Sequence, residues 1–189
     1  GRPLLIAAAL ALTGLVLLPM ILGGDSYGVV LAIDLLTAAL FAASLHFIMG
    51  PAGMHSFGHA AYFGLGAYAS ALLMLKAGWP MEAALLASPL VAAAGAALFG
   101  WFCVRLSGVY LAMLTLAFAQ ICWSITFQWD DVTGGSNGLT GVWPAEWLSD
   151  KRMYYWLTLA LVTLGVLALR RILFSPFGYA MRAGRDSPL

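Results

Sequence analysis

The stretch VVLAIDLLTAALFAASLHFIMGPAGMHSFGHAAYFGLGAYASALLMLK, Val29–Lys76, contains two apolar runs with a break between them. A helix needs about 20 apolar residues to cross a hydrocarbon core of about 30 Å, and each run approaches that length. The break brings Pro51, Gly53 and Gly58 together with His55 and His59, where an uninterrupted helix would be the simplest solution. Breaking a helix frees backbone amides and carbonyls. At membrane depth such groups persist only when buried in protein or lining a cavity. A broken or crossing helix start near the centre of a bundle is therefore the favoured expectation, ahead of a plain turn at the membrane surface.

The rest of the chain has the same character. Of its 189 residues 62% are apolar and 9% charged, whereas soluble domains carry roughly a quarter charged residues. A domain of this size cannot hide so much apolar surface from water, so a bilayer is the expected solvent. Six runs have the length of a span: Leu4–Leu22, Val29–Met49, Phe57–Leu75, Met81–Val104, Val109–Phe127 and Met153–Phe174. The expected fold is an all-α integral membrane protein, a polytopic bundle of about six transmembrane helices with the glycine-rich broken segment before the third. Arg2 ahead of the first run resembles the start of a signal peptide. That run is longer than a typical signal core and has no A-x-A site, so a retained helix is expected.

Lysine and arginine favour the cytoplasmic side. With the N-terminus inside, that side receives Arg2, Arg105, Arg170, Arg171, Arg182 and Arg185, and the outside receives Lys76, Lys151 and Arg152. Both ends of the chain are thus expected in the cytoplasm. Residues 1–189 are read as a single domain, with residues 128–152 an outer loop and residues 175–189 the start of a cytoplasmic one. In that outer loop Trp129, Trp143 and Trp147 suit the aromatic belt at a membrane interface.

Several function classes are excluded or disfavoured. A net charge of +1 leaves no electrostatic footprint for nucleic acid. Cys103 and Cys122 sit inside apolar runs, away from any disulfide framework or recognised metal spacing. His55 and His59 are four apart but lack the intervening acid of a zinc helix, so no metal is expected. The only lysines are Lys76 and Lys151, and no G-x-x-x-x-G-K-[ST] occurs, so the chain has no ATP cradle of its own. With no nucleophile triad or carboxylate pair, neither catalysis nor a cofactor is expected.

Helices in lipid associate through small residues and polar contacts. Four-residue spacing marks Ala60, Gly64, Ala67 and Ala71 on the third run, and Ser88, Ala92, Ala96 and Gly100 on the fourth. Gly58, Gly64 and Gly66 permit close backbone approach. On the second run Asp34, Thr37 and Ser44 share a face. On the fifth, Gln120, Ser124 and Gln128 line up, either along a wet path or against a neighbour.

Three segments carry a resemblance. GMHSFGHAAYFGLGAYASALL (Gly53–Leu73), RLSGVYLAMLTLAFAQICWSITFQWDDVTGGSNGLTGV (Arg105–Val142) and FSPFGYAMRAGRDSP (Phe174–Pro188) resemble, in the same order, segments of the LivM-type permeases. These are membrane subunits of ABC importers for branched-chain amino acids. The residues before Gly50 match only as generic apolar helices. Tyr179 replaces a common arginine, GPAG departs from the usual Gly-Tyr-Ala-Gly, and the family pattern runs on past Leu189 into further helices. The resemblance therefore implies the front part of a permease.

It also implies a multi-pass protein of the bacterial inner membrane, forming a path for branched-chain or related amino acids. The implied partners are a second homologous permease, two cytoplasmic ATP-binding subunits, a periplasmic substrate-binding protein and the lipid bilayer. Candidate path residues are Ser56, His59, Gln120 and Ser124. Pro51, Gly53, Gly58, Gly64 and Gly66 would shape the break and its close packing. Asp130, Asp131, Gly134, Gly135, Asn137 and Glu146 are candidates for docking the binding protein; read from its residues alone, Thr133–Gly138 makes either an anion nest or merely a compact loop. Phe177, Arg182 and Arg185 are candidates for coupling to the ATPase. An ion-coupled transporter using Asp34 and His55, or a structural subunit of a membrane complex, are the rival readings.

Overall fold

The computed structural model describes residues 2–23, 27–103 and 105–186. The expected loop residues 24–26, the span end Val104 and the terminal residues 187–189 lie outside the described residues. All regular structure among the described residues is helical. The long helices are α1 (Arg2–Leu22), α2 (Tyr27–Met49), α3 (His59–Leu75), α4 (Met81–Cys103) and α5 (Gly108–Gln128). They are followed by the short α6 (Asp130–Thr133), then α7 (Lys151–Leu173) and α8 (Pro176–Asp186). Among the described residues five helices are long and apolar enough to cross a bilayer, and α3, with 17 residues, is shorter. At 1.5 Å per residue α3 is about 25 Å long. It starts two residues later than the expected Phe57, whose N–H is bonded to the Thr115 side chain, 3.1 Å away.

The chain divides into two compact units. One comprises residues 1–47 and 146–181, the other residues 48–145 and 182–189. The first is built on α1, α2 and α7 around buried Val29, Tyr155 and Leu159, with Leu15, Leu18, Ile33, Leu36 and Trp156 packed against them. Gly165 lets α7 approach α2, since a Cβ there would stand 2.7 Å from the Leu40 side chain.

Pro19 lies inside α1 and is fully buried. Proline has no N–H to give the carbonyl four residues back, which here is that of Leu15. The buried Tyr155 hydroxyl donates to that carbonyl at 2.6 Å, and the Trp156 indole N–H donates to Val16 O at 3.1 Å. In a medium without water, α7 thus satisfies a backbone acceptor that α1 cannot.

In the second unit α3 and α4 run antiparallel. Tyr62 lies near Phe99, with ring centroids 6.1 Å apart, Leu65 meets Gly95, and Gly66 meets Ala92 and Ser88. The closest approaches therefore involve Gly66 and Gly95. Gly64 and Gly100 have open space where a Cβ would stand. Phe118 of α5 joins the row at 4.4 Å from Phe99. Pro89 in α4 frees the Leu85 carbonyl, which the Ser88 hydroxyl approaches at 3.4 Å.

Candidate functional site

Between α2 and α3 the chain is non-helical from Gly50 to Gly58. Gly53 has φ +65°, a left-handed conformation that suits glycine. The turn closes through Gly53 N–H to Gly50 O at 3.3 Å and Met54 N–H to Ile48 O at 3.2 Å. At its far end the segment is fixed to α5. Thr115 Oγ1 accepts from Phe57 N–H, and a Cβ on Gly58 would stand 2.9 Å from the Thr115 carbonyl. Gly58 therefore lets the start of α3 pack closely on α5. His55 precedes the helix and His59 opens it, so the two imidazoles do not share one helical face.

Beyond that close point α3 and α5 border a groove of about 700 Å³. Ala60, Ala61, Gly64, Leu65, Tyr68 and Leu72 line it from α3, and Leu116, Ala119, Gln120, Trp123 and Thr126 from α5. Val91 of α4 also borders it, and Trp129, Val132, Thr133 and Gly135 close one end. The walls are mainly aliphatic and aromatic. Gln120, Thr126, Thr133 and the Tyr68 hydroxyl are polar groups among them.

The closing turn explains its own sequence. The Thr133 hydroxyl lies 2.5 Å from Thr126 O and 2.9 Å from Trp129 O, sharing one proton between carbonyls at the end of α5. Gly134 and Gly135 have φ +75° and +53°, and a Cβ on Gly135 would collide with the Asp130 carboxylate. The amides of Gly134, Asn137 and Gly138 are bonded to carbonyls of Asp130, Gly134 and Gly135. Three amides of the expected anion nest thus serve the turn itself. Lys76 Nζ reaches Asp131 O at 2.5 Å, joining the end of α3 to this turn.

The sequence-derived path residues are not brought together on the groove. Gln120 borders it. Ser56, His59 and Ser124 are half-buried and are not among its lining residues. Ser124 instead accepts from Gln128 Nε2 at 2.7 Å. Residues four apart drift about 40° around a helix, so a row beginning at Gln120 leaves the groove by Ser124. The face that remains on it passes through Ala119, Cys122 and Thr126. Sequence reasoning missed Thr115 and Thr126; hydroxyls recurring along one face of α5 were the available signal. Asp34 is exposed on α2, while the Thr37 and Ser44 hydroxyls bond backward to Ile33 O and Phe41 O.

At the other end of the chain the SPFG sequence forms a helix start. Ser175 Oγ donates to Ile172 O at 2.6 Å and accepts from Gly178 N–H at 3.3 Å. Pro176 takes the first helical position, where its missing N–H is harmless. A Cβ on Gly178 would collide with the Leu173 carbonyl, so α8 folds directly against the end of α7. Phe177 is exposed and Arg182 half-buried on α8. Asp131 and Glu146 are exposed, as are Trp129, Trp143 and Trp147.

Residues 26–189 match the family described as branched-chain amino acid transport system / permease component. The chain belongs to that family. It is similar to the high-affinity branched-chain amino acid transport system permease protein LivM of Escherichia coli (strain K12). The same protein of Salmonella typhimurium (strain LT2) is equally similar. Each is 28% identical over an alignment 173 residues long, which covers 77% of this chain and 40% of the relative. The chain thus spans less than half the length of these curated relatives. No solved structure matches it. Membership in a permease family and the long apolar helices make it a multi-pass membrane protein.

Proposed function

We propose that this chain supplies part of the translocation path of an ABC importer for branched-chain or related amino acids. The observation that carries the reading is the α3–α5 groove, which lies within the family-matched residues and combines apolar walls with a few polar groups. An aliphatic amino acid is a zwitterion with an oily side chain. Leu65, Leu72, Leu116 and Ala119 suit the side chain, and Gln120 and Thr126 suit the charged end. None of these groups carries a formal charge. That favours release, since a path conducts only when its sites bind weakly enough to let go.

The likeness to LivM supports the remaining parts of the proposal. Two cytoplasmic ATP-binding subunits supply the energy, and a second homologous permease completes the path. A periplasmic binding protein delivers substrate to the outer loop, with Asp131 and Glu146 exposed for it and Asp130 held over Gly135. Phe177 and Arg182 on α8 face the ATP-binding subunits, in a bacterial inner membrane with both ends of this chain cytoplasmic.

The test is uptake of labelled leucine into vesicles holding the whole importer, the binding protein outside and ATP inside. The proposal expects accumulation only when the ATP-binding subunits and ATP are both present. Accumulation driven by a proton gradient without ATP contradicts it and favours an ion-coupled transporter.

A further inference from the structure

The non-helical segment before α3 is held at two points, one of which comes from the far end of the chain. Arg185 of α8 donates from Nη1 to Gly50 O at 3.1 Å, across 135 residues of sequence. Its aliphatic stem lies over Gly53. A Cβ built on Gly53 would stand 2.9 Å from Arg185 Cδ and 3.3 Å from Arg185 Cβ. Gly53 is thus a glycine for two reasons: its left-handed φ of +65° and the arginine stem packed on it. The second hold is Thr115 of α5, which accepts from Phe57 N–H. Between Gly53 and Phe57 run Met54, His55 and Ser56, with Met54 and His55 exposed.

We propose that Arg185 is a latch on this segment: it holds the break before α3 to α8, so that displacement of Arg185 is passed to the α3 wall of the groove. This inference rests on the transport reading above and gives Arg185 a different role from a direct contact with an ATP-binding subunit. The carbonyl of Gly50 lies just past the end of α2, where helix carbonyls lack intrahelical partners and carry partial negative charge. A guanidinium is suited to that position, since it stays charged and its donors are fixed in a plane. The turn under Arg185 is itself closed, by the Gly53 N–H on Gly50 O and the Met54 N–H on Ile48 O. From Gly53, where the arginine stem packs, three residues lead to Phe57 and the Thr115 hold. A shift of Arg185 that keeps its bond to Gly50 therefore moves this closed turn and, through that short link, bears on the start of α3.

Arg185 is a positioning residue in this scheme and touches no substrate. Its test uses the complete importer in vesicles, with Cys103 and Cys122 replaced by alanine and the pair Gly53→Cys and Arg185→Cys introduced. The built Cβ separation of 3.3 Å is within a few tenths of an ångström of the roughly 3.5–4.5 Å found in disulfides. The expected result is a disulfide between the two positions under mild oxidation, detected by mass spectrometry of linked peptides. Leucine uptake falls at least about 10-fold while ATP hydrolysis stays within about twofold, and reductant restores uptake.

A second variant avoids the strained glycine site. Arg185→Ala, at normal abundance, should raise the number of ATP molecules hydrolysed per leucine moved by about 10-fold, and Arg185→Lys should recover most of the coupling. Absence of the disulfide in both nucleotide-free and ATP-bound importer, with ATP-driven uptake intact in the unmodified protein, overturns the latch alone. A disulfide that leaves uptake unchanged overturns the transmission. Failure of the unmodified importer to use ATP for uptake overturns the transport reading beneath it.

Discussion

The α1–α2–α7 unit and the α3–α4–α5 unit are both made of apolar helices interrupted by proline, and they resolve the interruption differently. In the first, Pro19 stays inside α1 because α7 brings the Tyr155 hydroxyl to the freed Leu15 carbonyl. Within the second, Pro89 also stays inside its helix, where Ser88 approaches Leu85 O. Pro51 does not. Beside Gly50 and Gly53, the chain leaves the helix altogether and is held by Thr115 and Arg185. Proline alone therefore does not decide whether a helix in oil breaks; beside Pro51 the left-handed Gly53, with φ +65°, turns the chain out of the helix. The first solution surrounds a buried core. The second stands beside a groove with polar groups in its walls.

The largest expected effect breaks the comparison at a close contact. Gly58→Val places a branched side chain where a Cβ already stands 2.9 Å from the Thr115 carbonyl. In the reconstituted importer it should reduce leucine uptake by about 30-fold, because α3 must move away from α5 to admit it. The sealed unit should respond in stability instead. Leu159→Ala removes a buried side chain beside Tyr155 and should destabilise the protein by about 2 kcal/mol in denaturant unfolding from detergent. Transport per folded molecule should stay within about twofold.

Gln120→Leu sharpens the contrast from the other side. Gln120 borders the groove, so uptake should fall about 10-fold, or about 1.4 kcal/mol, with the unfolding midpoint unchanged. The smallest effect belongs to Tyr155→Phe, which removes the hydroxyl from Leu15 O and leaves the ring in place. A loss of about 1 kcal/mol is expected, measured by unfolding, with no change in the KM for leucine.

Much of this contrast was legible in the sequence. Long apolar runs give spans because a helix of that length matches the hydrocarbon core, and Pro51 with Gly53 marked the break for simple conformational reasons. The small-residue stripes located the α3–α4 contact only to within neighbouring faces: contact falls on Gly66 and Gly95, while Gly64 opens on the groove. Spacing reports that a face is small without saying which of two adjacent faces meets a partner. Gln120 borders the groove and Ser124 does not, since a four-residue row rotates away from it. The Tyr155–Leu15 and Arg185–Gly50 bonds join residues 140 and 135 positions apart. Nothing local in either partner announces the other, so those bonds needed the fold.

The central claim is that the α3–α5 groove is a wet surface of the path while the α1–α2–α7 centre is dry. Its most direct test is labelling by a membrane-impermeant, water-soluble thiol reagent. Single cysteines would be placed at Ala61, Tyr68 and Gln120 on the groove and at Leu159 in the core, in the complete importer lacking its native cysteines. The account predicts labelling at the three groove positions in at least one nucleotide state, slowed by leucine, and none at Leu159. Groove cysteines that stay unlabelled in every nucleotide state, as inert as Leu159→Cys, would contradict it.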